Sequence, residues 1–165
     1  MKSVDAQPGT CALLLAATRG QTLKVGRLGT MRVRPGWYVY VGSALGPGGL
    51  AARLSRHARP DKTLHWHIDY LRAVARLEEV WFRYGACRGE CLWAEAAGQM
   101  PGVSIPMDRF GASDCSCSGH LFRFDERPSR SHFACGLSKL EGHGAHVQHA
   151  VVEEDRPDYE CCRVR

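Results

Sequence analysis

Apolar and polar positions change period several times along this 165-residue chain. The run TCALLLAAT, from Thr10 to Thr18, is almost continuously apolar and is bounded by Gly9 and a Thr-Arg-Gly-Gln turn. That predicts a short buried strand rather than a helix. Leu23 and Val25, then Met31 and Val33, alternate with Lys24, Arg32 and Arg34, which predicts a hairpin turning between Gly26 and Gly29. Pro35 and Gly36 lead into WYVYVG, where Trp37, Val39 and Val41 share one strand face and Tyr38, Tyr40 and Gly42 share the other. Residues 10 to 43 therefore read as an antiparallel meander, with two phenols side by side on its last strand.

The pattern then turns helical. Gly46, Pro47, Gly48 and Gly49 hold neither strand nor helix, so the chain turns there. From Leu50 to Arg59, Leu50, Ala51, Leu54 and Ala58 fall on one helical face, with Arg53 and His57 one turn apart at its border and Arg56 and Arg59 outward. In LHWHIDYLRAVA, Leu64, Ile68, Leu71 and Ala75 share a face; His67 borders it, and His65, Asp69 and Arg72 lie on the wet side. EEVWFRYG alternates as a strand, Glu90 to Gln99 reads as a helix, and HLFRF as a short strand. The order predicts an α+β fold, a small mainly antiparallel sheet flanked by helices. Residues 1–8 read as a flexible leader and 9–124 as one domain. Residues 125–165, polar and rich in glycine and histidine, read as a partly disordered extension.

Composition adds two constraints. The formal charge is +5, and arginine outweighs lysine, which suits bidentate contact with phosphate and tilts the reading toward an anionic partner. No apolar run is long enough to span a bilayer and no signal peptide is evident, so no membrane partner is expected. The eight cysteines are then read as reduced thiols in the cytoplasm, free or on a metal. Cys115-Ser-Cys117-Ser-Gly-His120 offers three soft ligands for Zn²⁺, one short of a closed site, with Cys87, Cys91 or a tail residue as the fourth. The competing reading makes these cysteines small core residues beside a capped turn. His65 and His67, two apart on one helix, face different directions and are read as packed or capping residues, and Asp69 as a surface acid or an ion-pair partner for an arginine.

With Tyr40-Val41-Gly42 on a strand, a glycine turn, and Arg53 and His57 four apart on the next helix, the sequence resembles the GIY-YIG nuclease superfamily, most closely its small Uri-type branch. The blocks GTCALLL, VGRLGTMRVRPGWYVYVGSALGPGGLAARLSRH, HWHIDYL, GECLWAEAAG and FGASDCSCSGHLF carry the likeness over most of residues 9–124. The resemblance implies an endonuclease that hydrolyses DNA phosphodiesters with one Mg²⁺ or Mn²⁺. Tyr40 then positions or deprotonates the attacking water, Arg53 neutralises the phosphate, and His57 supports the nucleophile or its tyrosine. Glu90, opening the helix after the last core strand, is expected to hold the metal, with Glu95 as second choice. Arg32, Arg34, Arg56, Arg59 and Lys62 would supply sequence-independent phosphate contacts. Two departures stand out: the first motif reads Gly9-Thr10-Cys11 and lacks its tyrosine, and the hairpin of residues 21–34 lengthens the gap between motifs. Tyr38, on the face of Tyr40, is the expected replacement. The rival reading is a non-catalytic DNA-binding or repair-accessory module of the same fold, and a third is a zinc-stabilised interaction domain.

Overall fold

A computed structural model describes residues 4–59, 63–142 and 144–152. The fold is α+β: a five-stranded antiparallel sheet, a separate two-stranded sheet and four helices. Strand β1 (Gly9–Ala17) is the centre of the large sheet, pairing with β4 (Gly36–Ala44) on one side and β5 (Arg76–Tyr84) on the other. The outer strands are β6 (Leu121–Phe124) beside β4 and β7 (Gln148–Val151) beside β5. A central strand covered on both faces has no solvated side, which is why Thr10 to Leu15 are buried without interruption.

The two faces of the sheet carry separate cores. Leu13, Leu15, Tyr38, Tyr40, Val80 and Phe82 face α1 (Gly49–Ala58), α2 (His67–Arg72) and the hairpin β2 (Gln21–Val25) and β3 (Gly29–Val33). Ala12, Leu14, Val39, Val41, Trp81 and Phe122 face α3 (Glu90–Gly98) and α4 (Arg130–Glu141) through Trp93, Ala97, Phe133 and Leu137. The predicted alternation of Tyr38 and Tyr40 against Val39 and Val41 is thus the division between the cores. Leu50 and Leu54, fully buried, dock α1, each contributing roughly 1.5–3 kcal/mol by removal from water. Among the described residues no helix is long and apolar enough to cross a membrane.

Three expectations need correction. Residues 10–43 are not a simple meander: β2 and β3 pair only with each other, and β1 closes directly onto β4. Val25, Met31 and Val33 make the hairpin amphipathic, so it folds over the α2 side as a flap instead of joining the sheet. Residues 125–152 contribute α4 and β7 rather than a loose extension. Phe133 and Leu137, one helical turn apart on the same face of α4, and Ala150 on β7 are all buried. Two ionic anchors assist, Arg83 paired bidentately with Glu141, and Glu79 held by Arg127 and His149. Residues 153–165 lie outside the described residues.

The third correction concerns α2, which is only six residues long, with Trp66 in extended conformation before it. Asp69, expected on a wet face, is 1% exposed. Its carboxylate accepts from the backbone N–H groups of His65 and Trp66 at 3.0 and 2.9 Å and forms a bidentate pair with Arg56 at 3.0 and 2.9 Å. The carboxylate thereby holds His65 and Trp66 out of the helix and turns them toward α1. Asp69→Ala leaves two backbone donors and a guanidinium without their acceptor and should cost about 2–4 kcal/mol. Urea unfolding followed by circular dichroism checks this, and an unchanged midpoint would contradict the anchor.

Candidate functional site

A cavity of about 580 Å³ opens where β4 runs out toward the glycine turn, and its lining includes Tyr40, Arg53, His65, His67, Arg88 and Glu90. These residues come from β4, α1, the α2 entry and the head of α3, so only folding brings them together.

Arg53 reaches the cavity because Gly42 offers no side chain. A methyl group at Gly42 would run into the Arg53 guanidinium, so the bare strand backbone is the surface on which that group lies. On its other side the guanidinium carbon sits 5.0 Å from the centroid of Trp66. Arg53 Nε is buried and has no hydrogen-bond partner among the described residues. A buried cationic donor with spare capacity at a cavity wall is a seat for an anion. Cys11, where the first tyrosine was missing, lies directly opposite Gly42 in the β1–β4 register and donates its thiol to the Gly42 carbonyl at 3.5 Å. Burial pushes that thiol up, with the Arg53 charge opposing.

Tyr40 is 6% exposed, with its ring edge-on to Phe110 at 5.9 Å. Burial pushes its phenol up to about 12, against the lowering effect of Arg53. The phenol is therefore held in its neutral form at neutral pH. Gly111 packs against it: its φ is +75°, and an added Cβ would lie 2.7 Å from the Tyr40 ring. The Gly111 N–H donates to Nδ1 of His67 at 3.1 Å. In the neutral ring that bond leaves the proton on Nε2, and burial lowers the His67 pKa, which favours this form.

Glu90 is 6% exposed at the first position of α3. Arg88 donates from Nε to Glu90 Oε1 at 2.5 Å and pairs through its other nitrogen with Asp114, which also lines the cavity. Hydrogen bonding to Asp114, then to Glu90, raises the Arg88 pKa, and Arg88 in turn holds the Asp114 carboxyl below its usual range. Two carboxylates from separate segments thus share one cation.

Other expected residues are placed elsewhere. Tyr38 is fully buried, with its hydroxyl donating to the Arg34 carbonyl at 2.8 Å and accepting from the Arg34 N–H at 2.9 Å. It is not in the cavity lining, because two residues along a strand carry it ~6.5 Å from Tyr40. His57 is fully buried, 5.7 Å from the Trp66 ring, and Trp66 rather than His57 faces the cavity. Glu95, five residues on from Glu90 and on another face of α3, is exposed and also outside the lining. Arg56, expected to look outward, is engaged by Asp69 and stacked 4.3 Å from the Trp66 centroid. Arg32, Arg34 and Arg59 are exposed, and Lys62 lies outside the described residues.

Beside Glu90, Cys91 comes together with Cys115, Cys117 and His120, their ligand atoms all within 4.8 Å of one another. Cys115 Sγ and His120 Nε2 are 3.4 Å apart. This group could hold a metal ion, and it selects Cys91 from the candidates for a fourth ligand. Cys87 is exposed, and all six described cysteines are free thiols.

Residues 10–142 match the profile of a family described as Domain of unknown function DUF123. The chain belongs to the DUF123 family. No curated protein and no solved structure matches it. The DUF123 region spans every cavity residue named above and the whole Cys/His cluster, so both belong to one domain. Within this DUF123 domain, His65, Trp66, His67, Arg88 and Asp114 also line the cavity, beyond the residues the sequence points to. The density of HWH was visible, but a helical wheel points its histidines apart, and only the extended entry to α2 turns both to the cavity.

Raised above the usual phenol value near 10, the Tyr40 pKa makes a contribution to stability that is complete below pH ~10 and lost as pH rises through about 12. An ultraviolet titration of phenolate should show one late-ionising tyrosine that is absent from Tyr40→Phe. Gly111→Ala should lower stability by about 1–2 kcal/mol for its left-handed backbone alone, more if the Tyr40 ring cannot shift. Thermal unfolding checks this, and an unaltered melting temperature would contradict the packing.

Proposed function

We propose that this DUF123 domain is a metal-dependent endonuclease acting on DNA phosphodiester bonds. The observation that carries the reading is the convergence of Tyr40, Arg53 and Glu90 on one polar cavity. These are the residues to which the resemblance to GIY-YIG nucleases assigns the tyrosine, arginine and metal-carboxylate roles. The unpartnered Arg53 Nε supports a phosphate seat.

In this reading Arg53 binds the non-bridging oxygens of the scissile phosphate and offsets charge as it develops. Tyr40, its phenol kept neutral by burial, positions the attacking water by hydrogen bonding. His67, fixed by Gly111, offers Nε2–H as a further donor. The residues present suit a hard divalent cation: the Glu90 and Asp114 carboxylates already share the cationic Arg88 between them. Glu90, assisted by Asp114, would hold Mg²⁺ or Mn²⁺, which when bound supplies charge stabilisation at the leaving oxygen. Arg59, Arg32 and Arg34 remain exposed for phosphate contacts along the duplex, whereas Arg56 is committed to Asp69.

The test is nicking of plasmid and structured DNA in Mg²⁺ or Mn²⁺. Arg53→Ala and Glu90→Gln should each lower the rate by on the order of 10²–10³-fold, whereas Tyr38→Phe should leave it unchanged. DNA binding should weaken steeply with salt. Retention of DNA without metal-dependent cleavage would favour the non-catalytic DNA-binding module, and salt-independent association would argue against nucleic acid. Gly42→Ala gives a finer check, since displacing the flexible Arg53 head should cut cleavage while leaving the unfolding midpoint within about 1 kcal/mol of the original.

A further inference from the structure

The cluster beside Glu90 has the composition and closure of a structural metal centre. We propose that Cys91, Cys115, Cys117 and His120 bind one Zn²⁺ as a closed tetrahedral site that fastens the loop after Asp108 to the head of α3.

Geometry carries the assignment. With Zn–S near 2.3 Å and Zn–N near 2.0 Å, ligand atoms of a tetrahedral site stand roughly 3.5–3.8 Å apart. The four ligand atoms here all lie within 4.8 Å of one another, so small side-chain adjustments close the shell. Three sulfurs and one imidazole are a soft set that favours zinc over magnesium or calcium, and four protein ligands leave no open position for substrate. The ligands come from two segments, with Cys91 on α3 and the others on the loop leading to β6.

The loop is shaped for this arrangement independently of the ligands. His120 donates its backbone N–H to the Phe110 carbonyl at 2.8 Å, and its own carbonyl accepts from Val41 N–H at 2.9 Å. The Arg109 guanidinium donates to the Cys117 carbonyl at 2.8 Å, and Arg109 itself adopts φ +60°, which non-glycine residues rarely do. His120 is 1% exposed, so its ring is fixed in place. Among the described cysteines, Cys11, Cys87 and Cys135 lie outside the group.

The consequence is positional. Cys91 follows Glu90 directly, and Gly111, on the same loop as the other ligands, presses on Tyr40. One ion would then fix both the carboxylate and the phenol of the cavity, which the ligand His120 also lines. The zinc assignment itself stands whether or not the chain is a nuclease.

The full chain, purified without chelator and analysed by elemental mass spectrometry, should carry one zinc per molecule. After zinc is replaced by Co²⁺, the absorption spectrum should show tetrahedral d–d bands and charge transfer from three thiolates. Cys91→Ser should weaken metal affinity by on the order of 100-fold, while Cys87→Ser should bind as the unaltered chain does. His120→Cys, which keeps four ligands should Cys91→Ser fold poorly, should raise the charge transfer to that of four thiolates. Sub-stoichiometric zinc in the unaltered chain, a cobalt spectrum lacking thiolate bands, or equal losses in Cys87→Ser and Cys91→Ser would each overturn the proposal.

Discussion

The contact of the Arg53 guanidinium with the bare backbone of Gly42 holds the cavity in register. A strand can present a flat patch to a charged head group only where a residue has no Cβ, and Gly42 occupies that place on β4. Trp66 lies against the same guanidinium, and His57 is buried beside Trp66. Leu50 and Leu54 provide the apolar force that presses α1 down.

A second constraint acts from the opposite wall. Asp69 gathers Arg56 and the backbone of His65 and Trp66, so a single buried carboxylate shapes the entry to α2. The loop around Gly111 holds His67 and Tyr40 through one hydrogen bond and one tight packing contact. The polar groups of this wall are satisfied inside the protein, which favours a cavity shaped before any ligand arrives, while Arg53 Nε across from them stays open to one.

Much of the fold could be read from periodicity. The alternation of Tyr38 and Tyr40 with Val39 and Val41, the buried strand at Thr10, the Leu50 and Leu54 face and the Glu90 helix all depend on local side-chain direction, which residue type alone reveals. The failures were non-local. Whether β1 pairs with β2 or with β4 is decided by which surfaces need covering, and the hairpin satisfied its own edges. Phe133 and Leu137 stand one helical turn apart amid polar and glycine neighbours, and what makes them core is the surface that Trp81 and Trp93 supply.

For the site, sequence by itself determined the presence of Tyr40, Gly42, Arg53 and Glu90 and the soft-ligand character of Cys115, Cys117 and His120, because those rest on residue chemistry and short spacing. Tertiary structure decided the rest. It tied the Tyr38 hydroxyl to the Arg34 backbone, committed Arg56 to Asp69, and turned His65 and His67 to one side by shortening a helix. It also chose Cys91 as the companion of a loop more than twenty residues away. Such choices depend on distances between segments, and no local pattern encodes those.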